Sequence, residues 1–286
     1  MTIKIVTKPK VYLIARPRLD GAEVTEFLNT NGTPGFPLTG HPECQKLIEI
    51  AARVCYMSFK GGRPHAEHLG HLLENLHGST LEHANFSFLI TGVSRSLTHE
   101  LVRHRVGWAY SMLSQRYVDE SEAEFVIPFH ISQDAELKAA WLKSVTEAQR
   151  TYQLIADRLY LDGLRKALPS DVWADGEAPE SWTEANDVAR RLPLEKRTAI
   201  RKHARQTARS VLPNCTETKL VATANIRAIR HFLEMRGSVH ADYEIRTLAF
   251  MIWNIMKDEA PDLFHDFQVN SLPDGQVELV SKHKKV

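Results

Sequence analysis

The sequence predicts an α+β fold, a helix-rich single domain over residues 1–286 built around a central antiparallel or mixed sheet. Long stretches place apolar residues at steps of three and four, which is the period of a helix with one buried face. A few short segments instead alternate apolar with smaller or polar residues, as strands buried on one side do. The composition, 43% hydrophobic and 25% charged over 286 residues, is that of an ordinary globular chain able to bury a sizeable core.

The first strand is Lys10–Ala15, a run rich in strand formers, and a Gly/Pro/Asn/Thr-rich loop is expected from about Asn29 to Pro42. Leu47, Ile48, Ala51, Val54 and Cys55 then mark a helix over 42–59, and Leu69, Leu72, Leu73 and Leu76 mark another over 64–76. A strand follows over 84–90, and a helix from about Ser94 to Arg105. Between Ile127 and Leu212 the pattern is helical, with a stripe of Leu137, Trp141, Val145, Ala148, Tyr152, Ile155 and Leu159. It is broken by the Pro/Gly-bearing segment 169–180, and about 168–193 reads as a surface insertion. A strand over Thr216–Ala222 leads to helices over 225–236, which Gly237 stops, and 240–257. The tail Val277–Val286 is basic and expected to fray.

Charge and cysteine content exclude several classes. A formal charge of +1, from 36 basic and 35 acidic residues, gives no general field for a nucleic-acid polymer or an anionic membrane. Cys44, Cys55 and Cys215 are odd in number, widely spaced and without a CxxC pair, against both a disulfide framework and a zinc ribbon. With no apolar run near the ~20 residues of a membrane helix, and no signal-peptide pattern over Met1–Pro17, a cytoplasmic location is expected.

The densest functional cluster is Arg103-His-Arg-Val-Gly-Trp-Ala-Tyr-Ser-Met-Leu-Ser-Gln-Arg-Tyr117. Guanidinium forks bind phosphate or carboxylate oxygens in pairs, so an anion site is one reading. A solvated helix end is the other, with Glu100 pairing Arg103 or His104 at helical spacing. His99 and His104 are five apart, which turns the second about 140° away and rules out a shared zinc face. His65, His68 and His71 read as a polar helix face, and no metal ligand is assigned. In Asn225–Arg236, Asn225 suits an N-cap with its side chain turned outward toward a ligand. The plain alternative is an Asn cap followed by a surface charge ladder including Arg230 and Glu234. Arg190–Arg209, with nine basic residues counting His203, leaves an RNA-binding module as a rival.

Arg103-His104-Arg105 followed by Ser114-Gln-Arg116-Tyr resembles the signature of flavin-dependent thymidylate synthases. His77-Gly-Ser-Thr-Leu-Glu-His83, Ala208-Arg209-Ser-Val-Leu-Pro213, and Asn225-x-Arg227 through Arg236 to His240-Ala-Asp-Tyr-Glu-Ile resemble further segments of the family, in its order. Two departures stand out. The spacer between Arg105 and Ser114 is one residue longer than the family's, and Met112 stands where the family often has glutamate.

The resemblance implies an obligate homotetramer whose protomers build each active site jointly. It implies FAD as cofactor, NADPH and methylenetetrahydrofolate as co-substrates, and dUMP as the nucleotide converted to dTMP. Carried over by position, Ser79, Arg103, His104, Arg105, Asn225, Arg227, His231 and, more weakly, His240 contact FAD. Glu100, Arg103, Ser114, Gln115, Arg116, Arg209 and Arg236 hold the nucleotide, with Arg236 as the catalytic residue facing the pyrimidine. These residue types suit the task, because Arg116 and Arg209 with Ser114 can neutralise a phosphate dianion. A fixed cation at Arg236 can stabilise charge developing on the ring. The flavin carries the redox chemistry, so no cysteine nucleophile is needed, and Cys215 is assigned to the core. UMP or another uridine nucleotide in place of dUMP, and a non-catalytic flavin- or nucleotide-binding protein, are the remaining alternatives.

Overall fold

The computed structural model describes residues 3–168, 185, 187 and 189–286, so most of the expected insertion at 168–193 lies outside the described residues. In chain order the elements begin with β1 (Lys4–Val6), β2 (Lys10–Ala15), α1 (Gly21–Thr30), α2 (Glu43–Val54) and α3 (His65–Glu74). A 3-10 turn (Gly78–His83) leads to β3 (Asn85–Ser94), α4 (Arg95–Leu101), β4 (Trp108–Met112), β5 (Glu124–Val126), α5 (Phe129–Ser132) and α6 (Ala135–Ala167). Then come α7 (Leu194–Ala208), a 3-10 turn (Arg209–Val211), β6 (Glu217–Asn225), α8 (Ile226–Arg236), α9 (Tyr243–Glu259), α10 (Pro261–Phe264), β7 (Phe267–Ser271) and β8 (Val277–Ser281).

The chain divides into two compact units: Met1–Lys8, Ser94–Ser96 and Met112–Thr218 form the first, and Pro9–Val93, Leu97–Ser111 and Lys219–Val286 form the second. The first is dominated by α6 and α7. Asp134 starts the 33-residue α6 by accepting the Glu136 and Leu137 N–H groups at 2.8 and 2.9 Å. Tyr152 and Ala156 of α6 pack with Ala208 of α7, and β1 pairs in parallel with β5.

The second unit holds a four-stranded sheet in the order β2-β3-β6-β4, with β2 antiparallel to β3. The fold is therefore α+β as expected, although the strands form this sheet and two separate two-stranded pairs rather than one central sheet. Alternation on β3 turns Phe86, Phe88 and Ile90 inward, and Leu220, Ala222 and Ala224 of β6 join them. The buried faces of α2, α3, α8 and α9 complete this core through Ile48, Leu69, Phe232 and Leu248 among others. Each such fully buried side chain contributes about 1.5–3 kcal/mol relative to exposure.

Three expectations require correction. First, between the strand and the expected loop, where the sequence pattern marks no element, stands α1; Asp20 caps it, accepting from Ala22 and Glu23 N–H at 3.1 and 3.3 Å. Second, the tail does not fray. It contains β8, paired antiparallel with β7, and Val286 is buried. Third, Arg230 does not belong to a surface ladder. It is 1% exposed and donates to both Asp266 oxygens at 2.8 and 2.9 Å, to Ser281 Oγ at 3.3 Å and to the His283 carbonyl at 3.0 Å. The cation's need for partners in a dry core is what recruits the tail. Gly237 does end α8, but with an ordinary φ of −79°. It is glycine because a Cβ there would lie 2.6 Å from the Leu233 carbonyl and 2.7 Å from Leu279 Cβ.

Burial pushes the Asp266 carboxyl up, but Arg230, Ser281 and the His283 N–H outweigh it, and the net pKa is lowered. The stability from this ion pair is therefore present above the usual aspartate range and is lost as pH falls through the lowered value. Arg230→Ala, which strands Asp266, is expected to cost ~3–5 kcal/mol, read as a fall in the urea midpoint.

Candidate active site

The Arg-His-Arg segment is set by the way α4 ends. Arg103 N–H reaches the Glu100 carbonyl at 3.2 Å and His104 N–H the Leu101 carbonyl at 3.1 Å, so the chain tightens for one more turn. The carbonyls there lack helical partners. Tyr110 of β4 supplies one, its hydroxyl shared between the Leu101 and His104 carbonyls at 2.9 and 2.8 Å. Burial raises the phenol's pKa, so the hydroxyl keeps its proton.

A second tie joins the segment to the start of α8. Gly107 has φ +74°, and a Cβ there would lie 2.7 Å from Asn225 Nδ2 and 2.8 Å from Ala228 Cβ. The close approach lets Asn225 N–H donate to the Gly107 carbonyl at 3.2 Å, while Asn225 Oδ1 caps α8 by accepting from Ala228 N–H at 2.8 Å. Asn225 is thus the expected N-cap, but its side chain is buried and occupied rather than turned outward.

At the far end of α8, Arg236 meets the same segment. Its Nε donates to His104 Nε2 at 3.0 Å and its Nη1 to Glu100 Oε2 at 2.8 Å. Glu100 therefore pairs with Arg236 across the fold, not with Arg103 or His104 along its own helix. His104 accepts at Nε2, so its neutral form carries the proton on Nδ1. Burial, then the charges of Arg236 and His231, push the imidazole down to about 4, and it is neutral at pH 7. Phe232 packs edge-on against His104 and Trp108 at 5.2 and 5.6 Å. Burial raises the Glu100 pKa while Arg236 opposes the rise.

The other flavin candidates of this unit are more accessible. Ser79, Arg103, Arg105, His231 and His240 are exposed, and His231 lies 5.9 Å from His104 ring to ring. Among the described residues neither Arg103 nor Arg105 meets a carboxylate. Two open guanidiniums beside a neutral imidazole fit the pyrophosphate and polar ring edge of a flavin dinucleotide. Arg227 is more engaged, donating to Glu82 at 2.6 Å and to the Val286 carbonyl at 3.1 Å.

Ser114, Gln115, Arg116 and Arg209 belong to the first unit. Ser114 Oγ accepts from Arg116 N–H at 3.4 Å. Gln115 is buried, and its Nε2 and the Arg116 Nε are buried donors without a hydrogen-bond partner among the described residues. Arg209 is exposed on its 3-10 turn. Arg95, which sequence reasoning passed over, stands near it. Burial lowers the Arg95 pKa, Glu120 opposes this, and the charge of Arg209 lowers it further. The available signal was a cation in the first turn of α4, where the helix dipole disfavours it. Tyr110, Trp108 and Glu82 were missed too, since each acts through a partner distant in sequence.

Residues 38–262 match the family of the thymidylate synthase complementing protein, Thy1. A flavin-dependent thymidylate synthase of Mycobacterium sp. (strain JLS) is 43% identical over 234 residues, covering 80% of this chain and 82% of that protein. The enzyme of that name from Mycobacterium tuberculosis is 41% identical over 233 residues, with the same coverage. The chain belongs to the flavin-dependent thymidylate synthase family. Its fold is similar to the crystal structure of a UMP/dUMP methylase, PolB, from Streptomyces cacaoi bound with 5-Br UMP. The TM-score is 0.57 at 20% identity, over 92% of this chain and 95% of that one. Among the described residues no helix is long and apolar enough to cross a membrane.

As a family member with a lowered histidine at its signature, the protein should lose the stability of the neutral imidazole as pH falls from the ordinary 6.5 toward about 4. Histidine NMR should give His104 a midpoint near 4. In Arg236→Ala, which removes the neighbouring cation, that midpoint should rise.

Proposed function

We propose that the chain methylates C5 of dUMP to give dTMP, with methylenetetrahydrofolate as one-carbon donor and FAD, reduced by NADPH, as the source of electrons. The observation that carries this reading is the fixing of Arg236 by His104 and Glu100, both supplied by the segment that bears Arg-His-Arg. A guanidinium held by two partners is a preorganised cation, and such a group stabilises negative charge as a pyrimidine becomes nucleophilic at C5. His104 serves as a neutral acceptor, so it orients Arg236 without competing with it for the developing charge. Glu100 fixes the other edge of the guanidinium.

Ser79, Arg103, Arg105 and His231 are assigned to the flavin, with His240 at the margin. A flavin held by these residues would, once reduced, supply the electrons for the methyl transfer. Asn225 is assigned a supporting role through Gly107, and Arg227 contributes where it is held by Glu82. Ser114, Gln115, Arg116 and Arg209 are assigned to the nucleotide monophosphate. The donors on Gln115 and Arg116 that have no partner among the described residues support this, because a phosphate would satisfy both. In the proposed homotetramer each active site is built jointly by protomers.

UMP is a second reading, favoured by the long spacer, which here contains the whole of β4 and leaves Met112 exposed. Tritium release from C5-labelled dUMP and UMP, with FAD, NADPH and methylenetetrahydrofolate each omitted in turn, decides between them. Release from dUMP that needs all three is the expected result; release from UMP alone would transfer the assignment.

Arg236→Ala should retain FAD absorbance while turnover falls by about 10²–10³-fold. Arg116→Ala should weaken nucleotide binding, about tenfold or more for a lost charge-assisted contact of ~1.5–3 kcal/mol, and leave the flavin in place.

A further inference from the structure

Away from these residues, three elements of the second unit converge on an unusual polar cluster. His41 lies in the loop before α2, His65 opens α3, and Asp262 lies on α10. Each offers a nitrogen or carboxylate oxygen, and these atoms lie within 4.8 Å of one another. His65 is buried, so it does not belong to a solvated face with His68 and His71 as its spacing suggests.

The protonation of His65 is set from behind. Its Nδ1 lies 2.5 Å from Glu49 Oε2, and Glu49 also accepts from Lys46 at 2.8 Å and Arg53 at 2.9 Å. With Lys46 and Arg53 both donating to it, Glu49 is held as the acceptor that faces Nδ1. An imidazole that donates from Nδ1 to this carboxylate turns the Nε2 lone pair the other way. It points toward Asp262 Oδ2, 3.7 Å off. Two electron-rich atoms facing each other need an electropositive group between them. The Gln45 amide fills that role here, its Nε2 lying 3.2 Å from His65 Nε2 and 2.5 Å from Asp262 Oδ2. The exposed His41 ring lies over His65, with centroids 3.9 Å apart.

We propose that His41, His65 and Asp262 bind a divalent transition-metal ion of the zinc class, with Glu49 as the carboxylate that orients His65. Two imidazoles and one carboxylate are a donor set such ions accept, and a carboxylate on the far nitrogen of a ligating histidine is the usual outer partner. The 3.7 Å between His65 Nε2 and Asp262 Oδ2 already matches two ligands sharing one ion. On binding, the Gln45 amide would give way to the ion, and the exposed His41 would leave its stack on His65 to close the third position. Lys46 and Arg53 do not exclude the ion, since both are engaged with Glu49. The ion would clip the loop before α2 to α3 and α10. It is independent of the nucleotide and flavin assignments.

The test is equilibrium dialysis of the full chain against Zn²⁺, with bound metal counted by mass spectrometry and ligands read by zinc-edge X-ray absorption. One tightly held equivalent with two imidazoles is expected, with at least tenfold weaker binding in His41→Ala and in Asp262→Asn. His41 is exposed, so its variant should unfold at the wild-type temperature without metal and lose only the upward shift that Zn²⁺ produces. Zinc held equally by wild type and both variants would overturn the proposal. So would no retained equivalent.

Discussion

A guanidinium excluded from water must be neutralised in place, and the pairing of Arg230 with Asp266 is the constraint around which the second unit is arranged. Arg230 sits midway along α8, and its remaining donors reach Ser281 and the His283 carbonyl beyond β8. One charge thereby fixes the rotation of α8 and draws the end of the described chain against it. Both ends of the helix inherit that position. At its start Asn225 closes on Gly107, and at its end Arg236 closes on His104 and Glu100. A helix held in its middle by charge and at both ends by hydrogen bonds has little freedom to move its last residue.

How much of this the sequence discloses depends on whether partners are near or far along the chain. Helices with a clear apolar stripe, such as α2, α3 and α9, are legible, as is the strand β3, because period and burial agree there. The signature residues are legible as well, since Arg103, His104, Arg105 and Ser114 lie in one short segment. What was misread shares one cause. The tail looked solvated because its basic residues were counted without Asp266, Glu234 and β7, and Arg230 looked exposed because Asp266 is 36 positions away. Helix α1 depends on a single cap at Asp20 and a weak stripe, with only Leu28 buried. The pairing of Glu100 with Arg236 spans 136 positions and lies beyond any local spacing rule.

The site also shows how one burial has opposite effects on neighbouring groups. It drives His104 toward its neutral form and makes Glu100 harder to ionise, while Arg236 favours the carboxylate and disfavours the imidazolium. The result is an assembly in which one side chain keeps a full positive charge, one acts as an uncharged acceptor, and one carries the balancing anion. Tyr110 holds the turn that presents two of them, from the buried side of β4.

Gly237 follows Arg236 and carries no chemistry, yet Leu279 of β8 passes so close that its N–H donates to the Gly237 carbonyl at 2.9 Å. Any side chain there would have to move the helix end or the strand, and with either the last residue of α8. A mutational scan scored on turnover alone would rank Gly237 beside the groups that touch substrate. Its intolerance would record a steric border, and a map of essential positions in this protein would need to be divided into chemistry and clearance before being read as an active site.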